Sequence, residues 1–345
     1  MKRMKLGNSD ISVSALCLGT MTFGSQTGQP DAHAQMDMAL DHGVDFWDTA
    51  EMYPVNPVLA ETVGRTEEII GAWFAARGRR ADVVLATKIA GKGGKAREGE
   101  PITPDAIRRA LDASLGRLRT EYVDLYQFHW PNRGSYHFRQ IWGFDPSKQD
   151  REDTHQHMQD CLGTLGDLQA EGKIRAFGLS NESAWGMAEW LRLTEGTGVR
   201  PLSVQNEYSL LCRIYDGDLA ELGANEQVTL LAFSPLAAGL LTGKYAPDVT
   251  PKGSRREGTP DLGGRITPRV WDAVAAYVDL AAVQGLDPVQ MAVAWVMTRP
   301  FPVAPIIGAT SAAQLERVLG AADLTLAPEL LTAIDRIHKA HPMPY

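Results

Sequence analysis

Short apolar runs that are typical of β-strands alternate with helical patterns along the whole chain. The strand candidates are residues 15–18, 45–48, 83–88, 123–129, 174–180, 203–207, 229–234 and 304–307. Each run is too short, and too rich in β-branched or aromatic residues, to be a core helix. Near-continuous apolar strands joined by helices indicate a parallel sheet that is covered on both faces. Eight such units in 345 residues predict an α/β fold, a (β/α)8 TIM barrel forming one domain over residues 1–345.

Two features outside these units complete the predicted fold. Residues 5–13 are expected to form an N-terminal β-hairpin at the bottom of the barrel. Long loops are expected at the C-terminal face, including the aromatic-rich stretch 131–153 and the glycine-rich stretch 253–264. A doubly wound sheet is the weaker alternative, because residues 18–24 lack the G-x-G-x-x-G spacing of that fold.

Two helix starts can be predicted from capping signals. Thr103 followed by Pro104 indicates a helix that runs to about Arg119, since threonine caps well and proline suits the first helical position. Thr154 is expected to cap a helix that ends near Glu171. Earlier helical patterns cover about residues 30–42 and 64–77.

Charge and cysteine content exclude several classes of protein. The formal net charge is −8 and the isoelectric point is about 5.5, which argues against binding to the phosphate backbone of nucleic acids. The chain has no run of 18 apolar residues, the length that a membrane-spanning helix needs, so a cytoplasmic protein is expected. Cys17, Cys161 and Cys212 are odd in number and widely spaced, which fits reduced thiols. They lack metal-ligand spacing, and no metal site is predicted.

Four side chains that can hold or move a proton lie at the ends of three strand candidates. Asp48 ends the second run and Tyr53 follows five residues later, while Lys88 and His129 end the third and fourth runs. The active site of a (β/α)8 barrel lies at the carboxyl ends of its strands. The four side chains are therefore predicted to meet in one site.

These residue types suit the reduction of a carbonyl group. A carbonyl that accepts hydride develops negative charge on oxygen, so it needs an acid at that oxygen. Tyr53 is the candidate acid, and its ordinary pKa of about 10 is expected to be lowered by the ammonium of Lys88. Asp48 is expected to hold Lys88 charged, and His129 to orient the carbonyl or share the proton.

Eight motifs occur in an order typical of one protein family. They are LCLGTMTFG, DTAEMYP, ATK, DLYQFHWP, GLSN, VQNEYSLL, AFSPLAAGLLTGKY and IIGATSAAQLERV, and they extend over nearly the whole chain. On these motifs the chain resembles the aldo-keto reductases, and most of all the bacterial NADP(H)-dependent subgroup related to potassium-channel β subunits. The resemblance implies an NAD(P)H-dependent oxidoreductase that reduces an aldehyde or ketone to an alcohol.

The resemblance also implies where a nicotinamide cofactor would bind. Ser180, Asn181 and Gln205 would bind its amide, and Tyr208 would stack on the nicotinamide ring. The segment after the seventh strand would approach the pyrophosphate, with Lys244 supplying charge. The complete set of expected contacts is Gly19, Thr20, Met21, Asp48, Ser180, Asn181, Gln205, Tyr208, Ser234, Pro235, Leu236, Gly239, Leu241, Gly243, Lys244, Gly308, Thr310 and Gln314.

The cofactor preference is less clearly encoded. Many relatives carry a basic side chain near Ala309 or Thr310 to bind a 2′-phosphate and an asparagine at the position of Val318, and neither is present here. Arg317 lies nearby and is a candidate substitute, since an arginine fork suits phosphate. NADP(H) is therefore favoured, and NAD(H) stays possible.

The substrate side is predicted to be apolar and partly aromatic. Tyr53, His129 and Trp130 are expected to form the pocket for a small-molecule carbonyl compound. Two other functions fit the same residues. One is a cofactor-binding, redox-sensing module with slow turnover, as in the channel β subunits, and the other is an alcohol or sugar dehydrogenase working in the oxidative direction. The sequence leaves the physiological substrate, the reaction direction and the oligomeric state open.

Overall fold

The computed structural model describes residues 1–345. Its strands are β1 (Arg3–Lys5), β2 (Ser12–Ser14), β3 (Cys17–Gly19), β4 (Phe46–Asp48), β5 (Val84–Ile89), β6 (Val123–Phe128), β7 (Ile174–Ser180), β8 (Pro201–Glu207), β9 (Thr229–Phe233) and β10 (Val303–Ile307). Its helices are α1 (Gln29–Asp41), α2 (Arg65–Arg77), α3 (Pro104–Leu118), α4 (Arg151–Ala170), α5 (Ala184–Leu193), α6 (Asp218–Asn225), α7 (Arg255–Gly258), α8 (Val270–Val283), α9 (Pro288–Met297), α10 (Ala312–Leu319) and α11 (Pro328–Ala340).

Strands β3 to β10 form a closed barrel, which confirms the predicted (β/α)8 architecture. They follow one another around the barrel in chain order, and β10 pairs with β3 to close it. All eight pairings are parallel, and helices follow the strands on the outside. A core of 72 buried residues fills the space between strands and helices. The carboxyl ends of the eight strands therefore share one rim.

The N-terminal hairpin closes the opposite end of the barrel, as predicted. Strands β1 and β2 pair antiparallel, and Leu6, Ile11 and Val13 between or within them are buried. These side chains belong to a second apolar cluster that includes Cys17 and Phe46 at the bottom of the barrel strands. The hairpin thus keeps water out of the end that is remote from the strand carboxyl ends.

One predicted helix cap is confirmed and the other is wrong. The hydroxyl of Thr103 accepts a hydrogen bond from the backbone N–H of Ala106 at the start of α3. In α4 the cap is Asp150, whose carboxylate accepts from the N–H of Asp153 at 3.0 Å. Thr154 lies inside the first turn and donates its hydroxyl to the carbonyl oxygen of Asp150. Asp150 takes the N-cap position because aspartate caps a helix at least as well as threonine does. The acidic residues that follow it in the first turn also interact favourably with the helix dipole.

No single helix is long and apolar enough to cross a membrane. Helices α8 and α9 have the required length and apolarity only when taken together, and they meet at a bend of 98°. The three cysteines are buried and unpaired. No group of three or more histidine, cysteine, aspartate or glutamate side chains is arranged to hold a metal ion.

Candidate active site

A cavity of about 1060 Å³ opens at the carboxyl ends of the barrel strands. Its walls come from the strand ends and from the loops that follow β4, β6, β9 and β10. Asp48, Tyr53 and His129 line it, and the ammonium of Lys88 lies directly behind Tyr53. The four residues predicted to meet are therefore brought together.

The register of strands β4, β5 and β6 points Asp48, Lys88 and Gln127 into the barrel interior. Asp48 in β4 pairs with Ala86 in β5, and Lys88 lies two residues beyond Ala86, so both point into the barrel. Lys88 in turn pairs with Gln127 in β6. Parallel register thus delivers an aspartate, a lysine and a glutamine to one layer of the barrel interior.

The centre of the site is a buried ion pair. Nζ of Lys88 donates to Oδ2 of Asp48 at 2.6 Å, and the two side chains are 0% and 2% exposed. The same ammonium donates to the carbonyl oxygen of Thr49 at 2.8 Å and to the hydroxyl oxygen of Tyr53 at 3.3 Å. All three protons of the lysine therefore have acceptors, as a buried ammonium requires.

Two glutamine amides satisfy the other oxygen of Asp48. Oδ1 accepts from Nε2 of Gln127 at 3.0 Å and from Nε2 of Gln205 at 2.9 Å. Gln205 also donates to Oε1 of Gln127 at 3.2 Å, which fixes both amides. Gln127 was not singled out in the sequence. Its signal was a polar residue in a mostly apolar strand, two residues before His129, since a buried amide needs a partner.

Burial and charge shift the pKa values of the three titratable groups around Asp48. Burial acts to lower the pKa of Lys88, but Asp48 and Tyr53 outweigh it and raise the pKa above its usual value. Burial raises the pKa of Tyr53, and the opposing effect of Lys88 is smaller. The predicted lowering of the Tyr53 pKa is therefore wrong, because desolvation of the phenolate exceeds the attraction of the ammonium.

His129 stays neutral at neutral pH. Burial, reinforced by the charge of Lys88, lowers its pKa well below the usual value. Its ring lies edge-on to that of Tyr53, with centroids 5.8 Å apart and planes at 75°. Nδ1 of His129 is buried without a hydrogen-bond partner. The imidazole is thus placed beside the tyrosine with hydrogen-bonding capacity to spare.

Most of the residues predicted to contact a cofactor line the same cavity. Asn181 donates its amide to the carbonyl oxygen of His129 at 2.9 Å and to Oγ of Ser180 at 3.1 Å, while its own Oδ1 is buried without a partner. That orphaned acceptor suits an amide N–H of a ligand, such as the carboxamide of nicotinamide. The predicted contacts found in the lining are Gly19, Thr20, Met21, Asp48, Ser180, Asn181, Gln205, Ser234, Pro235, Leu236, Gly239, Lys244, Gly308, Thr310 and Gln314.

Three predicted contacts lie outside the cavity lining. Tyr208 is fully buried, its ring stacks on Trp295 of α9, and its hydroxyl donates to Asp216. The tyrosine therefore has no face free for a ligand, and the prediction that it stacks on nicotinamide is wrong. Leu241 and Gly243 also lie outside, because they complete the helical turn behind Gly239.

Phe233 is a cavity-lining aromatic residue that was not predicted from the sequence. It ends β9, lines the cavity and is paired in register with Glu207 at the end of β8. The signal was its position immediately before Ser234, at the start of the segment predicted to bind pyrophosphate. Aromatic residues near a strand end are common, and only the direction of the side chain separates Phe233 from Tyr208.

The segment after β9 has the backbone geometry of an anion-binding turn. Ser234, Ala237, Ala238 and Gly239 all have positive φ, between 47° and 96°. A side chain at Gly239 would contact the aliphatic end of Lys244 at 3.2 Å, so the glycine keeps the lysine close to the backbone. Turns of this kind gather backbone N–H groups around a concavity, which suits a phosphate group.

One known protein family matches nearly the whole chain. The model of the Aldo/keto reductase family matches residues 15–339. The chain belongs to the aldo/keto reductase family. It is therefore an NAD(P)H-dependent oxidoreductase.

Three relatives show how far the similarity of this aldo/keto reductase extends. Protein tas of Escherichia coli is 41% identical over 355 residues, covering 100% of this chain and 99% of that protein. A probable voltage-gated potassium channel subunit beta of Arabidopsis thaliana is 30% identical, covering 99% and 98%. Aldo-keto reductase yakc [NADP(+)] of Schizosaccharomyces pombe is 29% identical, covering 93% and 87%.

Removing the ammonium from the centre of the site should destabilise this reductase. Lys88→Met leaves the Asp48 carboxylate buried without a cation and should lower the free energy of unfolding by about 3–5 kcal/mol. The double variant Lys88→Met with Asp48→Asn removes both charges and should recover part of that loss. Urea unfolding of the three proteins measures both effects. Equal stability of Lys88→Met and the wild type would contradict the central role of the pair.

Proposed function

We propose that this reductase converts an aldehyde or ketone to an alcohol at the expense of NADPH, with Tyr53 as the general acid. The observation that carries the proposal is the buried network in which Lys88 joins Asp48 to the hydroxyl of Tyr53 at the wall of the cavity. An ion pair with a purely structural role would not require a tyrosine hydroxyl beside it. A tyrosine that only packs against its neighbours would not require a buried ammonium at its hydroxyl. Their combination at the strand carboxyl ends fits acid catalysis.

The residues around Asn181 fit a nicotinamide ring. Asn181 offers the unpartnered Oδ1, and Ser180 and Gln205 present side chains beside it. Phe233 lines the cavity nearby and is the aromatic residue that we assign to packing against the ring. A reduced nicotinamide bound there would supply the hydride. The chain itself contributes orientation and protection from water.

Tyr53 delivers the proton. As hydride reaches the carbonyl carbon, negative charge develops on the carbonyl oxygen, and the Tyr53 hydroxyl donates its proton to that oxygen to form the alcohol. The raised pKa keeps Tyr53 protonated at neutral pH, so the acid is ready before reaction. Lys88, 3.3 Å from the hydroxyl oxygen, then stabilises the phenolate that is left, and Asp48 holds the lysine in place.

His129 orients the substrate. Because its pKa is lowered, the neutral imidazole can direct a ring N–H at the carbonyl oxygen beside the Tyr53 hydroxyl. Trp130 and Phe138 pack edge to face at 6.3 Å and form an aromatic wall of the same cavity. This wall favours aldehydes and activated ketones with an apolar body over sugars.

Replacing the proposed acid tests its role directly. Tyr53→Phe removes one hydroxyl and should lower kcat by about 10²-fold to 10⁴-fold, the usual effect of losing a general acid. The dissociation constant for NADPH should stay within a factor of about two, since the hydroxyl faces the carbonyl rather than the cofactor. Steady-state reduction of a nitrobenzaldehyde and cofactor titration measure the two effects. Wild-type turnover by Tyr53→Phe would refute the assignment.

The adenosine end of the cavity favours NADPH. Gly308, Thr310 and Gln314 line it after β10, and Arg317 lies beside them. Arg317 forms a bidentate salt bridge with Asp287, with donor–acceptor distances of 2.6 and 3.0 Å. Because 45% of its side chain is exposed, the salt bridge is weak, and the guanidinium can reorient toward a phosphate at a small cost in free energy. The relative whose name specifies NADP(+) supports the same preference.

The preference can be measured as a ratio. We expect kcat/KM to be at least about tenfold higher with NADPH than with NADH, because a 2′-phosphate gains a charge-assisted hydrogen bond from Arg317. Arg317→Met should reduce that ratio mainly by raising KM for NADPH, while kinetics with NADH stay the same. Equal efficiency of the wild type with both cofactors, or an Arg317→Met variant with an unchanged ratio, would contradict the assignment.

A further inference from the structure

The cavity is far more basic than the chain. Although the net charge of the protein is −8, the cavity lining holds seven basic side chains and one carboxylate, that of Asp48, which is already paired with Lys88. The basic residues are Lys92, Arg139, Lys244, Lys252, Arg255, Arg265 and Arg317. Two of these residues are assigned to the proposed cofactor: Lys244, in the segment after β9, to the pyrophosphate, and Arg317 to the 2′-phosphate. The arginines at the other side of the cavity need a separate explanation.

Two of these arginines share a single carboxylate. Nη1 of Arg139 and Nε of Arg265 each contact Glu207 at 2.8 Å, one at each carboxylate oxygen. Both guanidinium groups also approach Gly263: a side chain there would begin 3.5 Å from Nη2 of Arg139 and 3.6 Å from Nη1 of Arg265. The glycine leaves this space between the two forks open. The guanidinium groups of Arg139 and Arg265 therefore share one carboxylate, that of Glu207, and both border the open space beside Gly263.

A third arginine adds uncompensated charge. Arg255 lines the cavity, donates only to the side-chain oxygen of Asn56 at 3.0 Å and forms no ion pair, and its Nε is buried without a partner. Burial, reinforced by Arg265, lowers the pKa of Arg255 to about 10. Burial and Arg265 also lower the pKa of Arg139. Buried cations in excess of anions are costly, and a bound anion would remove that cost.

The cluster adjoins the substrate side of the cavity. Arg139 follows Phe138, which packs on Trp130, the residue next to His129. The partner of Arg255, Asn56, is three residues beyond Tyr53 and lines the same cavity. Arg139 lies in the long loop after β6, whereas Arg255 and Arg265 follow β9, as does the segment assigned to the pyrophosphate. An anion held by Arg139 would therefore belong to the carbonyl compound.

We propose that the substrate of this reductase is an aldehyde or ketone that also carries a carboxylate, and that Arg139, supported by Arg265, binds that carboxylate. The inference rests on the proposed reductase function and names its substrate class. Glu207 positions the two forks but leaves Nη2 of Arg139 available beside Gly263. A planar carboxylate matches a guanidinium fork, whereas its methyl ester keeps the shape and loses the charge.

Binding of a product-like acid tests the subsite without turnover. 4-Carboxybenzyl alcohol and its methyl ester are titrated calorimetrically into the NADP⁺-loaded protein. We expect the acid to bind at least about tenfold more tightly than the ester, from one charge-assisted hydrogen-bonded pair. Arg139→Gln should abolish this difference by weakening the acid alone. The variant should fold, because Glu207 keeps Arg265 and the hydroxyl of Tyr345 as partners.

Two control variants sharpen the test. Arg139→Lys keeps the charge without the fork and should give an intermediate preference for the acid. Arg192→Gln removes an exposed arginine that pairs with Glu189 on α5, away from the cavity, and should leave both affinities unchanged. Equal binding of acid and ester by the wild type would overturn the proposal. So would an Arg139→Gln variant that loses affinity for NADP⁺ and keeps its preference for the acid, since the cluster would then serve the cofactor.

Turnover separates this inference from the proposed function. Reduction of 4-carboxybenzaldehyde and of its methyl ester is compared in wild type and Arg139→Gln, where we expect KM for the acid to rise about tenfold with little change in kcat. Sodium chloride should raise KM for the acid and not for the ester. If neither compound is reduced while the acid still binds preferentially, the reductase function fails and the carboxylate subsite stands.

Discussion

The buried ion pair between Lys88 and Asp48 is the interaction on which the site depends. Two charges taken out of water are favourable only when their geometry is good and their remaining hydrogen-bonding capacity is used. Here the lysine reaches Asp48, Thr49 and Tyr53, and the aspartate receives two glutamine amides as well. The pair thereby links β4, β5, β6 and β8 at one level of the barrel. It also sets the electrostatic field that acts on Tyr53 and His129.

The same field assigns different roles to neighbouring residues. The lysine lowers the pKa of His129, as burial does, so the imidazole is neutral and suited to orienting a substrate. For Tyr53 the lysine opposes burial without overcoming it, so the hydroxyl keeps its proton until charge develops nearby. The proposed proton donor and the proposed orienting group are thus distinguished by environment rather than by residue type alone.

The barrel and the four central residues could be predicted because they rest on patterns in the sequence. Strand length, apolar runs and register bring Asp48, Lys88 and His129 to one rim once the fold is a parallel barrel. Side-chain direction beyond a strand end has no such periodicity. Tyr208 and Phe233 are both aromatic and both near strand ends, yet Tyr208 packs outward on Trp295 while Phe233 faces the cavity.

Balances between opposing effects were equally hard to predict. The sequence places an ammonium near Tyr53, but the extent of burial decides the sign of the pKa shift, and burial depends on the complete tertiary structure. The basic cluster is another example. Arg139 is 68 residues from Glu207 in the sequence, and Arg265 is 58 residues from it. Only the folded loops after β6 and β9 bring the three side chains together.

The central claim is that one cavity places a reduced nicotinamide against a carbonyl group beside Tyr53. Its most direct test is to reduce an aldehyde with NADPH that carries deuterium at C4 of the nicotinamide, and to analyse the alcohol by mass spectrometry. The account predicts a single deuterium on the former carbonyl carbon, transferred from one face of the ring only. Oxidation of the cofactor without deuterium in the alcohol, or tight cofactor binding with no alcohol formed, would contradict it.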